Sequence, residues 1–352
     1  MIATSEHPPE AVSSREFPPT NEVVRMATPR AVRESGYYGL PLIKPPRWKW
    51  EIALYFFFGG VSAGSFVLAG MADLFGGPRN RQLVRRGRLL AVVTLLPCPP
   101  LLIADLGRPE RFHHMLRIVK ATSPMNTGAW AMTGYGIFAA LLAARENLTA
   151  LRRLPSKTMT IFGMPFALTM LAYPGVLLSA TSNPVWSGTP FLGALIGCSS
   201  MAGGAAALSL SGGSNRALDK FESVVTACEA AALAGYLGTA RRAAQPLLSG
   251  RQSAAFWMGA VVCGLVLPTV LGKRRGLIGS LLTLGGTLAM KWAITYAGHT
   301  SALDPDAAQR STRPSESTPG WGAVAGIETV LASEITREDG MLDEHRGKHH
   351  NA

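Results

Sequence analysis

The chain has 352 residues, of which 47% are hydrophobic and only 16% are charged. Soluble globular proteins carry about 25% charged residues, so this sequence lacks the charge to cover two or three soluble domains, and its composition indicates an integral membrane protein. The net charge is +12, but the Lys and Arg residues fall between apolar runs. That placement is typical of membrane topology signals and argues against a nucleic-acid-binding protein.

Eight apolar runs predict an all-α membrane protein with eight transmembrane helices. A bilayer core requires about 20 apolar residues in a helix, and these runs lack the alternation of a membrane β-barrel. Three prolines in the second run, Pro97, Pro99 and Pro100, predict a kink, and the small residues of the fifth run favour close helix contact. The predicted spans are 52–71, 89–104, 127–144, 159–181, 190–213, 223–239, 253–272 and 276–298.

The predicted membrane domain, 49–300, lies between an N-terminal tail (1–48) that is expected to be disordered or to drape over a partner and a polar C-terminal tail (301–352). The first 45 residues contain no apolar leader, so the first run is expected to be retained as a helix. The odd-numbered loops carry more Lys and Arg than the even-numbered loops. This bias predicts that both tails face the extracytoplasmic side. The first loop alone is expected to hold Arg79, Arg81, Arg85, Arg86 and Arg88.

The cysteines and histidines argue against a metal centre or haem in this protein. The four cysteines lie inside apolar runs and form no CxxC pair. A transmembrane haem needs axial ligands, usually histidines, that face inward from the helices. Only His299 touches a predicted span, at its end. The others lie in the tails or in one loop: His7, His113, His114, His345, His349 and His350.

The second loop and its flanks carry the most specific sequence signal. Residues 104–112 read ADLGRPERF, and residues 123–130 read SPMNTGAW. By composition alone these strings describe a polar turn with a proline stop and a Ser-Pro helix start. Their pairing closely resembles the NrfD/PsrC family of polysulfide reductase-like integral membrane subunits. The resemblance covers about residues 48–306 and includes further matching segments at 55–66, 87–90, 173–179, 296–298 and 304–305.

The resemblance implies two four-helix bundles in a bacterial inner-membrane subunit with no haem or metal of its own. Members of the family exchange electrons between membrane quinone and an iron–sulfur, ferredoxin-like subunit, which serves a molybdopterin catalytic subunit. The expected small-molecule partner is therefore a quinone or quinol, either menaquinone or ubiquinone. Whether this protein is a non-catalytic subunit or the quinone-site subunit of an oxidoreductase complex is left open by the sequence.

Tyr173 is the first candidate for a quinone contact. It lies near the middle of the fourth span, beside Pro174 and Gly175. Its phenol can donate a hydrogen bond to a quinone carbonyl or bond a neighbouring helix as a core tyrosine. The matching tyrosine in relatives contacts quinone, so the resemblance implies the first role. Some relatives also have His or Asn in the first span, which this sequence lacks, and weaker candidates for further contacts are Tyr55, Ser62 and Trp130.

Asp105, at the end of the second span, is a candidate proton relay. Oxidation of a quinol releases two protons that need an acceptor, and the resemblance places this acid in the family's loop motif. The alternative is a helix-terminal acid paired with Arg108 or Arg111. The loop residues Arg108, Glu110 and Arg111 are expected to bind the iron–sulfur partner or to order the loop.

Two charged residues, Glu229 and Lys291, interrupt otherwise apolar spans. Insertion scales put the burial of such a residue at about 2.5 kcal/mol or more. Glu229 is predicted to belong to a proton relay across the second bundle, with a neutral, hydrogen-bonded acid as the alternative. Lys291 is expected to snorkel towards the membrane surface or to meet backbone carbonyls.

Two other functions fit the sequence. A secondary transporter or ion-conducting protein would also use broken helices and a buried acid such as Glu229. A purely structural membrane tether would need no quinone contact, and the absence of His and Asn from the first span is consistent with it.

Overall fold

A computed structural model describes residues 43–303 except 107–109, 111, 113, 118, 121–122, 214–215 and 273–275. The regular secondary structure of these residues is entirely helical. Most of each predicted tail therefore lies outside the described residues. The last helix ends at Ala302, two residues beyond the predicted boundary of the membrane domain.

The helices follow the apolar runs of the sequence. In chain order the α-helices are α1 (Trp50–Phe75), α2 (Arg81–Leu95), α3 (Cys98–Asp105), α4 (His114–Arg117), α5 (Pro124–Asn147), α6 (Ser156–Ser179), α7 (Pro184–Ser187), α8 (Phe191–Leu208), α9 (Arg216–Ala240), α10 (Gln245–Leu248), α11 (Leu267–Leu271) and α12 (Gly276–Ala302). Short 3₁₀-helices cover Pro78–Asn80, Thr149–Arg153 and Arg241–Ala244, and π-helical segments cover Ser209–Gly213 and Ala255–Val266. All eight predicted spans lie in helical segments.

Six helices of the described part are long and apolar enough to cross a membrane, which makes this a multi-pass membrane protein. They are Trp50–Phe75, Pro78–Asp105, Pro124–Asn147, Ser156–Ser179, Phe191–Gly212 and Gly276–Ala302. The sixth predicted span falls in α9, whose length is sufficient but whose sequence adds Asp219, Lys220 and Glu222 to Glu229. The seventh falls in Ala255–Leu271, which is apolar but shorter than 18 residues.

The predicted kink in the second span is confirmed. Helix α2 ends at Leu95, and α3 begins at Cys98 after a two-residue break at Leu96 and Pro97. Since proline has no amide proton, the three prolines of this segment remove helix hydrogen bonds. The helical hydrogen bonds resume at Leu101, whose amide donates to the Pro97 carbonyl at 3.2 Å. The break therefore divides the second span into α2 and α3, and Asp105 is the last residue of α3.

Helix α1 lies at the centre of the packing and contacts α2, α3, α6, α8 and α12. Small residues allow its close approach to α8, as the composition of the fifth run predicts. A Cβ atom added to Gly204 would lie 2.6 Å from the carbonyl carbon of Gly64. No side chain fits between the two backbones at this point, so the crossing of α1 and α8 depends on both glycines.

Arg88 corrects one part of the predicted topology. It was expected in the first loop, but α2 begins at Arg81, and Arg88 is a buried helical residue with 2% exposure. Its guanidinium donates to Asp73 at 2.7 Å, Glu146 at 2.5 Å and Ser156 at 2.8 Å. The network joins α1, α2, α5 and α6. Because two carboxylates surround this charge, Arg88 is a weak topology signal.

Candidate functional site

Tyr55 and Tyr173 lie close together inside the first half of the molecule. Tyr55 is 3% exposed and Tyr173 is 7% exposed. The two hydroxyls are near enough to interact electrostatically, and the thiol of Cys98 lies beside Tyr55. Helix packing brings them together, since α1 contacts both α3 and α6. The structure therefore groups two of the predicted quinone contacts.

Gly128 of α5 makes room for Tyr173. A Cβ atom on Gly128 would overlap the Cζ atom of Tyr173 and would lie 2.5 Å from its hydroxyl oxygen. On the other side of α6, Gly175 packs against the backbone of Gly193 in α8. The Tyr173 ring is thus held between α6 and the bare backbone of α5.

Ser62 lies deeper in the core and has protein partners. Its hydroxyl donates to the Ala91 carbonyl at 2.5 Å and shares a hydrogen bond with the Tyr135 hydroxyl at 2.7 Å. Ser62 and Tyr135 are both fully buried. The arrangement joins α1, α2 and α5, and it gives Ser62 a structural role whether or not a quinone reaches it.

Two carboxylates meet near the beginning of α1. The Asp105 carboxylate lies close to the backbone of Lys49 and to the Glu51 side chain. Glu51 also lies near the Tyr296 hydroxyl of α12, and its Oε2 atom is buried without a hydrogen-bond partner among the described residues. Glu51 precedes Tyr55 by one helical turn, on the same face of α1. This pair stands at the same end of the bundle as the two tyrosines.

The remaining predicted residues of this region are more exposed. Trp130 is 36% exposed on α5, two residues after Gly128. Glu110 is exposed in the loop between α3 and α4. Arg108 and Arg111, the other predicted docking residues, lie outside the described residues.

An apolar groove of about 430 Å³ runs between α3 and α5. Its length extends from Leu106 and Ala129 towards Leu95 and Ala140, and Thr133 contributes the hydroxyl among otherwise apolar side chains. Small ligand sites of this kind commonly measure 300–1,000 Å³, roughly the range that holds a drug-sized molecule. The groove-lining Ala129 follows Gly128, the residue on which Tyr173 packs, so the groove and the Tyr173 contact lie at the same level of α5.

Glu229 and Lys291 lie in the second half of the molecule, away from the tyrosines. Glu229 is 7% exposed on α9, and Lys291 is 1% exposed on α12. The two charges are close enough to interact electrostatically. Lys291 was expected to snorkel outward or to meet backbone carbonyls. Instead its ammonium group is buried and lacks a hydrogen-bond partner in the described part of the molecule.

Four residues of the tyrosine region were not singled out from the sequence: Glu51, Cys98, Gly128 and Tyr135. A signal existed for Tyr135, which follows Gly128 by two helical turns and so shares its face of α5. Glu51 resembles an ordinary acid in the first turn of a helix. Within the described ranges, His, Cys, Asp and Glu side chains form no group of three or more that could hold a metal ion.

The family model and the similar proteins all indicate the same family. The family model described as polysulphide reductase, NrfD, matches residues 43–302. The C subunit of the polysulfide reductase of Wolinella succinogenes is 28% identical over 302 residues, covering 72% of this sequence and 94% of the relative. The NrfD homolog of Haemophilus influenzae is 25% identical over 301 residues, covering 71% and 94%. Protein NrfD of Escherichia coli is 25% identical over 300 residues, with the same coverage.

The family match spans the whole tyrosine region, the carboxylate pair and the Glu229–Lys291 region. It also agrees with the resemblance that the loop motif and the Tyr173 segment indicate. The protein therefore belongs to the NrfD family of polysulphide reductase-related membrane proteins.

Proposed function

We propose that this protein is the quinone-reactive membrane subunit of a bacterial reductase complex. It passes electrons between membrane quinone and an iron–sulfur, ferredoxin-like partner, which exchanges them with a molybdopterin catalytic subunit. The Wolinella succinogenes relative is named as one component of a polysulfide reductase, which supports membership of a multi-subunit reductase. In this proposal all eight helical segments span the bilayer as two four-helix bundles, and both tails face the extracytoplasmic side.

The observation that carries the proposal is the position of Tyr173 beside an apolar groove. The Tyr173 hydroxyl packs on Gly128, and the next residue, Ala129, lines the groove. A quinone has a polar head that accepts hydrogen bonds and a long apolar tail. A phenol at the inner side and an apolar channel at the outer side match these two parts. Tyr55 supplies a second phenol, and Trp130 lies at the same level of α5.

The carboxylate pair gives the proposed site a route for protons. Each quinol oxidised releases two protons, and the pair offers two acceptors: Glu51, one helical turn from Tyr55, and Asp105 beside Glu51. Glu51 then takes protons on the Tyr55 side, and Asp105 receives them at the start of α1, beside Lys49. The docking residues Arg108, Glu110 and Arg111 follow Asp105 directly in the sequence, so the iron–sulfur partner would bind over the same end.

The role of Glu229 as a relay in the second half is a separate part of the proposal. Its support is the burial of an acid near the buried base Lys291. No redox group is assigned to this subunit, and the partners hold the metal and molybdopterin centres.

Quinone binding by the purified protein tests the proposal. A quinone with its isoprenoid tail is titrated into the full-length protein in lipid nanodiscs, using wild type, Tyr173→Phe and Tyr236→Phe. Loss of one hydrogen bond is worth about 0.5–1.5 kcal/mol, so Tyr173→Phe should weaken binding by roughly 2- to 13-fold. Tyr236 is the matched control, because its buried hydroxyl bonds the Val185 carbonyl in the other half of the molecule.

The same titration separates the alternatives. A wild-type protein that binds no quinone would contradict the proposal and favour the structural tether. Ion-dependent uptake of a substrate by the isolated protein in liposomes would favour the secondary transporter or ion-conducting protein.

A further inference from the structure

Lys291 is the most unusual polar residue of the second half. It is a charged side chain with 1% exposure, and no described residue accepts a hydrogen bond from its Nζ atom. Its aliphatic part packs against α1, where a Cβ atom on Gly60 would lie 3.4 Å from Cε of Lys291. The ammonium is therefore buried where α12 packs against α1 and α8, and it is not exposed at the membrane surface.

Three other polar side chains are buried near Lys291. Glu229 of α9 faces Lys291, and Ser199 of α8 lies beside Glu229. Thr295 follows Lys291 by one turn of α12. The hydroxyls of Ser199 and Thr295, like the ammonium, are buried without a hydrogen-bond partner among the described residues. Lys291 and Glu229 form no direct ion pair, although their charges interact.

Unpartnered buried polar atoms are rare in folded proteins, and an unpaired buried ammonium is the most costly kind. Where several such atoms surround one space, ordered water usually supplies the missing hydrogen bonds. A buried water typically makes about three hydrogen bonds to groups of this sort. The ammonium, the carboxylate and the two hydroxyls offer enough partners for at least one water.

We propose that Lys291, Glu229, Ser199 and Thr295 enclose a buried water site through which Lys291 and Glu229 exchange a proton. In the exchange the Lys291 ammonium gives a proton to the bridging water, and the water gives one of its protons to the Glu229 carboxylate. An ion pair becomes a neutral amine and a carboxylic acid, and the water is regenerated. No electron moves, and no further reactant is needed.

The site does not depend on the quinone proposal. It extends the predicted relay role of Glu229 by giving Glu229 a named base and a solvent bridge. The other titratable groups near Glu229 are the thiols of Cys198 and Cys228. Thr287 lies one turn before Lys291, but its hydroxyl already donates to the Ser199 carbonyl at 3.2 Å.

Infrared spectroscopy of the full-length protein in lipid nanodiscs tests the exchange. The carboxylic acid band of Glu229 is identified by its loss in Glu229→Gln and is followed after transfer to D₂O. We expect the wild-type band to shift promptly, because the water carries deuterons to Glu229. In Lys291→Met we expect the Glu229 band itself to change. A Glu229 band that does not shift over hours, or one that Lys291→Met leaves unchanged, would overturn the proposal. The proposal would also be overturned if no band of protonated Glu229 appeared between about pH 5 and pH 9, a range around neutrality.

A conservative pair of variants protects the test against misfolding. Thr295→Val removes an unpartnered hydroxyl and should slow deuteron exchange at Glu229 by roughly 2- to 13-fold, the effect of losing one hydrogen bond. Thr283→Val is the matched control on α12, because the Thr283 hydroxyl bonds the Gly279 carbonyl of its own helix at 3.1 Å. Equal exchange rates in the two variants would contradict the water site. Quinone binding should be unaffected in both, so failure here is distinct from failure of the quinone proposal.

Discussion

Tyr173 on α6 occupies the space that a side chain at Gly128 on α5 would fill. Two features of the sequence that looked independent, a tyrosine in the fourth span and the glycine of the SPMNTGAW string, are thus one contact. The contact places the phenol against Gly128, one residue before the groove-lining Ala129, and near Tyr55.

Gly128→Ala should impair quinone binding as strongly as the loss of the Tyr173 hydroxyl. The added methyl overlaps the Tyr173 ring and must displace it from the groove side of α5. Quinone titration of the purified protein measures the effect. Gly285→Ala is the control, because a Cβ atom at Gly285 meets no atom within 4 Å. Equal binding by the two variants would argue against the placement of the quinone head at Tyr173.

Ala140→Phe should distinguish the tail of the quinone from its head. Ala140 lines the far end of the groove, so a phenyl ring there fills the channel without touching Tyr173. We expect the KM for a long-tailed quinol to rise about tenfold, equivalent to about 1.4 kcal/mol, while a short-tailed analogue is unaffected. Ala234→Phe on an exposed position of α9 serves as the control. A similar change for both quinols would contradict the groove assignment.

The Ser62–Tyr135 hydrogen bond should act as a structural unit. Ser62→Ala and Tyr135→Phe each remove one partner of a buried bond, which costs about 1–3 kcal/mol when the other partner is left unsatisfied. The double variant should lose less than the sum, as thermal unfolding in nanodiscs would show. Additive losses would mean that the two hydroxyls do not depend on each other. A loss of quinone binding with intact stability would instead favour the predicted contact of Ser62 with quinone.

Arg88→Ala should be among the most destabilising single substitutions in the first half. It leaves Asp73 partly buried without its cation and leaves Glu146 with Arg145 alone. Breaking a buried pair of this kind costs about 3–5 kcal/mol. Unfolding of the protein in nanodiscs measures the loss. Arg85→Ala is the control on the same helix, because Arg85 makes an exposed 3.5 Å hydrogen bond to Asn147. A loss no greater than that of Arg85→Ala would contradict the structural role of the network.

Helix position was predictable from the sequence because apolar runs of bilayer length are a strong signal. Helix ends were less predictable, because α2 already begins in the charged stretch after Asn80. Arg88 is therefore a helical residue in the core. The partners of buried groups depend on how each helix is rotated, which hydropathy does not specify. For this reason a motif could single out Tyr173 and Asp105 as candidates, whereas the pairing of Ser62 with Tyr135 and the burial of the Lys291 ammonium could not be predicted.

Glu51 shows a second limit of sequence-based prediction. An acid at the start of an apolar helix is common, because it favours the helix N-terminus. Only the packing of α3 against α1 places Asp105 beside it.

The most direct test of the central claim is quinone-dependent electron transfer by the assembled complex carrying Tyr173→Phe or Asp105→Asn. Tyr236→Phe serves as the control, and the partner subunits are quantified to show that assembly is unchanged. The account predicts that both variants reduce the rate with quinol or quinone at least about tenfold, or about 1.4 kcal/mol, while electron transfer between the partner subunits and an artificial soluble dye is retained. Wild-type quinone-dependent rates in both fully assembled variants would contradict it.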